Sequence, residues 1–103
     1  MARPAEQVLA DIEAFRPVDG NWLPLDDLLA ELWSVGVPTS AIPPLLGVFD
    51  RFPDEDGAGV FWSIVHGLEA LPGYESALLE SVELRPATFK RIMVDRLRRA
   101  ADA

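Results

Sequence analysis

The chain has 103 residues, with 17 Asp and Glu against 9 Lys and Arg for a formal charge of -8, one histidine and no cysteine. A chain of this length buries roughly two thirds of its unfolded surface in one core, so residues 1–103 are expected to form a single domain. The missing cysteine excludes a disulfide scaffold, a Cys-ligated metal and a thiolate nucleophile, and the acidic balance speaks against nucleic acid, whose phosphates are held by Lys and Arg.

The first predicted helix carries Val8, Leu9, Ile12 and Phe15 on one stripe, with Pro4 in its opening turn and Pro17 beyond its end. After Gly20, Leu25, Leu28, Leu29, Leu32 and Trp33 follow helical spacing, with Asp26 and Asp27 in the first turn, where the helix dipole favours anions, and Gly36 as the C-terminal cap. A third helix starts near Pro43-Pro44, with Thr39 or Ser40 as the other candidate cap, and runs through Leu45, Leu46, Phe49 and Phe52 to Pro53. Asp54-Glu55-Asp56 is expected to cap a fourth, which bears Val60, Phe61, Ile64, Val65, Leu68 and Leu71; apolar on most of its circumference, it belongs mid-structure. Pro72-Gly73 breaks it. A fifth helix with Tyr74, Leu78, Leu79 and Val82 ends before Pro86, and a sixth carries Phe89, Ile92, Met93, Leu97 and Ala100.

No run alternates as a half-buried strand requires, so the fold class is all-α. About six short antiparallel helices with brief joints pack either as a HEAT-like α-solenoid or as a compact bundle; Ala41–Leu46, the acidic turn and Val60–Leu71 resemble one HEAT-type unit. No run reaches the ~18–20 apolar residues of a membrane span, and acids at Glu6, Asp11 and Glu13 stand where a signal peptide is apolar, so a cytoplasmic protein without membrane contact is expected.

Residues 1–84 hold 15 acids and 3 bases, a balance of -12, while residues 85–103 hold 6 bases and 2 acids, a balance of +4. Arg96, Arg98 and Arg99 suit the C-terminal end of a helix, but -12 exceeds the magnitude of about 2–8 that solubility asks of a small domain. A surface of this sign attracts a basic partner.

Chemistry has few candidates. His66 and Glu69 have the spacing of half a carboxylate metal site, but no matching half exists, so a half-buried, hydrogen-bonded histidine is the simpler expectation. Ser63 sits mid-helix without free amide protons for an oxyanion. No catalytic residue, metal or cofactor is therefore expected. Among the aromatic residues, Trp33 lies on a core stripe, Trp22 is either a hydrophobic staple or a binding anchor, and Trp62 falls off its helix's stripe, a possible contact residue. Asp54, Glu55 and Asp56 lack the alternating ligands of a calcium loop; capping accounts for one, leaving fixed charge at a turn.

The run Val48 to Glu69, with its Asp-Glu-Asp-Gly turn, Phe61-Trp62 and His66-Gly-Leu-Glu69, then Leu71 to Glu75, Ser81 to Pro86 and Asp95-Arg96-Leu97, resembles small bacterial immunity proteins of polymorphic toxin systems. The likeness spans about Leu25 to Leu97; where those relatives often carry Asn-Arg-Leu, Asp95 adds a charge, which argues against assuming the same toxin. The resemblance implies a non-catalytic inhibitor that binds a cognate toxin domain. An acid-rich chain suits a basic target such as a nuclease. The expected binding residues are Asp26, Asp27, Asp54, Glu55, Asp56, Trp62 and Glu69. The alternative is a helical-repeat adaptor or regulatory domain that binds a peptide or protein.

Overall fold

Proline and glycine place the joints, and helical periodicity fills the intervals between them. In the computed structural model, which describes residues 3–102, these intervals are α1 (Ala5–Ala14), α2 (Leu23–Val35), α3 (Ile42–Arg51), α4 (Phe61–Glu69), α5 (Tyr74–Leu84) and α6 (Thr88–Asp102). The described residues contain no strand beyond an isolated bridge between Val18 and Asn21. Pro24 and Pro43 each stand in the first turn of a helix, where a missing N–H breaks no helical bond. Gly36 ends α2 with φ 90°, outside the range that side-chain-bearing residues prefer. Thr39 and Ser40 cap nothing through their side chains; they lie in a short 3-10 turn that leads into α3.

The acidic turn departs from the expected simple cap. Asp56 caps a separate 3-10 turn, Gly57–Gly59, its carboxylate accepting the Ala58 N–H at 2.9 Å. α4 begins only after this turn, with Val60 at its N-cap and no side-chain cap bond. The reason is steric and conformational. Gly57, Ala58 and Gly59 all have positive φ, which bends the chain too sharply to run straight into a helix, and the Phe61 ring lies under Gly57 so closely that a Cβ there would come within 2.6 Å of it.

The helices form two layers. α1, α3 and α5 pack in succession on one side, α2, α4 and α6 on the other, and α1 with α2 and α5 with α6 close as antiparallel hairpins. The all-α expectation is met as a bundle of stacked hairpins, and α4 sits between α2 and α6, as its apolar circumference requires. Buried residues from all six helices join in one apolar cluster. An aromatic run threads it from Phe15 to Trp22, then to Phe61 and Phe89, with Phe49 and Phe52 alongside, ring centroids 5.1–5.8 Å apart and mostly tilted or edge-to-face. Trp22 is thus core and neither a free anchor nor a staple: it is the N-cap of α2, with Asp26 at the fourth helical position, and packs on Phe15, Phe52 and Phe61. Trp33 is half-buried, its ring against Gly67, where a Cβ would sit 2.3 Å from the indole; glycine is what lets α2 and α4 approach.

Two cations brace the layers from within. The C-terminal turns of α1 and α5 carry no basic residue of their own, and their terminal carbonyls are met by donors from other helices. Arg51 of α3 donates to the Ile12 carbonyl at 2.8 Å. Lys90 of α6, fully buried, donates to the Arg85 carbonyl at 2.9 Å and the Ser81 carbonyl at 3.4 Å and pairs with Asp50 of α3. One ammonium thereby ties α3, α5 and α6. Burial lowers the Arg51 pKa, and Arg16 nearby adds to the effect by like-charge repulsion.

Candidate docking surface

Trp62 stands in the first turn of α4, on the side that meets α6, because Phe61, Ile64, Val65 and Leu68 take the inward positions. Its ring rests edge-on against Phe89 at 5.4 Å while the indole stays 37 % exposed. The Arg96 guanidinium lies over the same ring, 5.9 Å from its centroid. That guanidinium is held in turn by Glu69, through two hydrogen bonds of 2.8 Å each. Glu69, Arg96 and Trp62 make one connected assembly across α4 and α6.

The pair perturbs its own titration. The Arg96 hydrogen bond holds the Glu69 carboxyl below the usual carboxylate range against the opposing effect of burial, and Glu69 raises the Arg96 pKa. Tyr74 lies nearby, its phenol pushed up by burial and by the Glu69 charge. The Glu69 carboxylate is engaged by Arg96 within the fold and keeps 22 % of its side chain exposed.

The acidic turn flanks the same region. Asp54, Glu55 and Asp56 are exposed, and the Pro53 carbonyl just before them accepts the Thr88 N–H at 2.9 Å, which pins the turn to the start of α6, next to Phe89 and so to Trp62. Asp56 is partly occupied as the cap, while Asp54 and Glu55 make no ion pair among the described residues. Asp54, Glu55 and Asp56 thus stand ahead of the end of α4 that carries Trp62, while Glu69 closes the other end of that helix and meets Trp62 only through Arg96. Asp26 and Asp27 are both exposed, but only Asp26 stands in the first turn of α2, because the helix begins at Leu23 and puts Asp27 in its second turn; both belong to the neighbouring hairpin, where Asp27 lines a shallow groove between α1 and α2 with Asp11 and Glu31. Arg3 neutralises part of that groove by pairing with Asp11 and Glu31, which keeps the Glu31 carboxyl below its ordinary range.

His66 departs from expectation. It is exposed rather than half-buried and its side chain makes no hydrogen bond among the described residues; its ring lies 6.3 Å from that of Trp62, one turn away on α4. The cause is geometric, since His66 follows Trp62 by four residues on the outward face of the helix. No group of three or more potential metal ligands exists among the described residues.

Two contributors escape sequence reading. Arg96 reads from the sequence as one of several cations near a helix end, with nothing to single out its partner 27 residues earlier. Lys90 could have been found: it falls on the inward stripe with Met93, Val94 and Leu97, an anomalous position for an ammonium that implies a buried acceptor. No helix of the described residues is long and apolar enough to cross a membrane. No family model, no curated protein and no solved structure matches this chain.

Proposed function

We propose that the chain is an immunity protein that neutralises a cognate secreted bacterial toxin, a nuclease being the target chemistry that suits it best, by stoichiometric binding without catalysis. The observation that carries the reading is a pair of unlike features near the start of α4: an exposed Asp54-Glu55 turn that makes no ion pair among the described residues and is tied to the start of α6, and a 37 % exposed tryptophan in the first turn of α4 that rests on Phe89 of α6. Fixed negative charge speeds encounter with a cationic surface, and an aromatic side chain supplies the buried contact that slows release. The resemblance of Val48 to Glu69 to immunity proteins agrees with this chemistry. The test is co-expression with candidate toxin domains encoded next to the chain, followed by co-purification and a survival assay. Survival with a stable one-to-one complex is the expected result; a chain that neither binds nor protects refutes the reading.

A second reading, an adaptor that holds a peptide, is favoured by one feature. Between α3 and α5 a groove of about 330 Å³ is lined by Pro43, Leu46, Leu84 and Arg85, with Leu84 75 % exposed. Under this reading Leu84→Ser abolishes partner capture while Trp62→Ala leaves it intact.

A further inference from the structure

We infer that Arg96 is a positioning residue: clamped by Glu69, it holds Trp62 as the pre-organised anchor of the docking face. The inference rests on the docking reading above and assigns a role that sequence reading gives to neither Arg96 nor Glu69.

An exposed tryptophan on a helix ordinarily samples several rotamers, and ordering it on binding costs conformational entropy. Trp62 is restrained on two sides. Phe89 meets it edge-on at 5.4 Å, and Arg96 covers one ring face at 5.9 Å. A lone arginine would make a poor lid, because its own side chain is long and mobile. Here both ends of its fork are engaged: Nε and one terminal nitrogen each donate to a separate Glu69 oxygen at 2.8 Å, which fixes the guanidinium plane. Glu69 lies seven residues after Trp62 on α4, two turns along the same face, so the clamp bridges from α6 back to the helix that carries the anchor. The indole remains 37 % exposed, and the acid turn precedes the helix that carries it. The partner chemistry this arrangement fits is a cationic protein surface that covers the exposed part of the indole and meets Asp54 and Glu55, which make no ion pair among the described residues.

The consequence separates Arg96 from a rim charge. A rim cation facing a cationic partner would slow association, so its removal would raise kon. A positioning residue also acts on koff, and that effect runs through Trp62 and vanishes when Trp62 is absent. The full chain and its co-purified toxin domain provide the test, with surface plasmon resonance for the rates. Trp62→Ala raises koff by about tenfold or more, as loss of an aromatic anchor does. Arg96→Met raises koff beyond what the lost charge does to kon, Arg96→Lys, which keeps the charge but not the fork, recovers only part of the loss in koff, and Trp62→Ala with Arg96→Met releases no faster than Trp62→Ala alone. In the free protein, labelled with 5-fluorotryptophan, the Trp62 fluorine resonance, assigned by its disappearance in Trp62→Phe, shifts and averages in Arg96→Met while those of Trp22 and Trp33 stay put. A resonance that does not move, an unchanged koff, or additive losses in the double variant overturns the inference while the docking reading stands. A wild-type chain that captures no cationic protein overturns the docking reading and the inference with it.

Discussion

The buried pair of Lys90 and Asp50 is unequal, and the inequality predicts opposite sensitivities to mutation. Lys90 is fully buried, whereas the Asp50 side chain is 20 % exposed. Asp50→Ala leaves the ammonium in the core with only the Ser81 and Arg85 carbonyls as acceptors. Breaking a buried pair from the side that strands a charge costs about 3–5 kcal/mol, a large share of the ~5–15 kcal/mol that holds a domain folded. Lys90→Met strands a carboxylate that water can reach and fills the site with an apolar side chain of similar length; the loss reduces to two carbonyl bonds at about 0.5–1.5 kcal/mol each, partly offset by the methionine's burial. Urea unfolding followed by far-ultraviolet circular dichroism reads both variants. With a slope of about 1–2 kcal/mol per molar urea, Asp50→Ala lowers the midpoint by about 1.5–5 M and Lys90→Met by about 1 M. The double variant is closer to Lys90→Met than to Asp50→Ala, because removing the ammonium removes the penalty. If Lys90→Met is the more damaging, or if the double variant is as unstable as Asp50→Ala, the argument from stranded charge fails.

Gly67→Ala drives a methyl into the Trp33 ring, 2.3 Å away, and overpacking of about 1–3 kcal/mol outweighs the ~1 kcal/mol gained in helix propensity; a raised melting temperature would contradict this. Ala58→Gly works the other way: Ala58 sits at φ 53°, ψ 38°, and relieving about 1–2 kcal/mol of left-handed strain exceeds the added freedom of the unfolded glycine, so thermal unfolding moves upward by a few degrees. Asp54→Lys with Glu55→Lys slows association with a basic partner and flattens its salt dependence, while the Asp56 cap and the melting temperature stay as they are; an unchanged association rate would remove the turn from the docking face. The lowered Glu69 pKa gives a contribution that is present above the ordinary carboxylate pKa near 4.5 and is lost as pH falls through the lower folded value. Because Arg96 is 41 % exposed, that contribution is at most about 1 kcal/mol, and the stability gap between wild type and Glu69→Gln narrows as an acid titration falls below the ordinary carboxylate range; a constant gap would show that the pair is not its source.

All six helices and most of their joints were legible in the sequence, because both rest on local physics. Inward stripes such as Leu25, Leu29 and Leu32 follow the helical repeat, and Pro17, Pro53, Pro72 and Pro86 interrupt it. The same reasoning found Trp62 off its stripe and the acid turn ahead of α4. It failed where backbone geometry depended on a neighbour, as at Gly57 over Phe61, and where an outcome depended on which way a helix face turned, as at His66. Only the tertiary structure decided the partners of the charges: Glu69 with Arg96 at a separation of 27 residues, Asp50 with Lys90 at 40, and Arg51 with the Ile12 carbonyl at 39. A periodic pattern records which face of a helix turns inward but not what it meets there, and an ion pair is set by the approach of two helices whose relative placement no local repeat encodes.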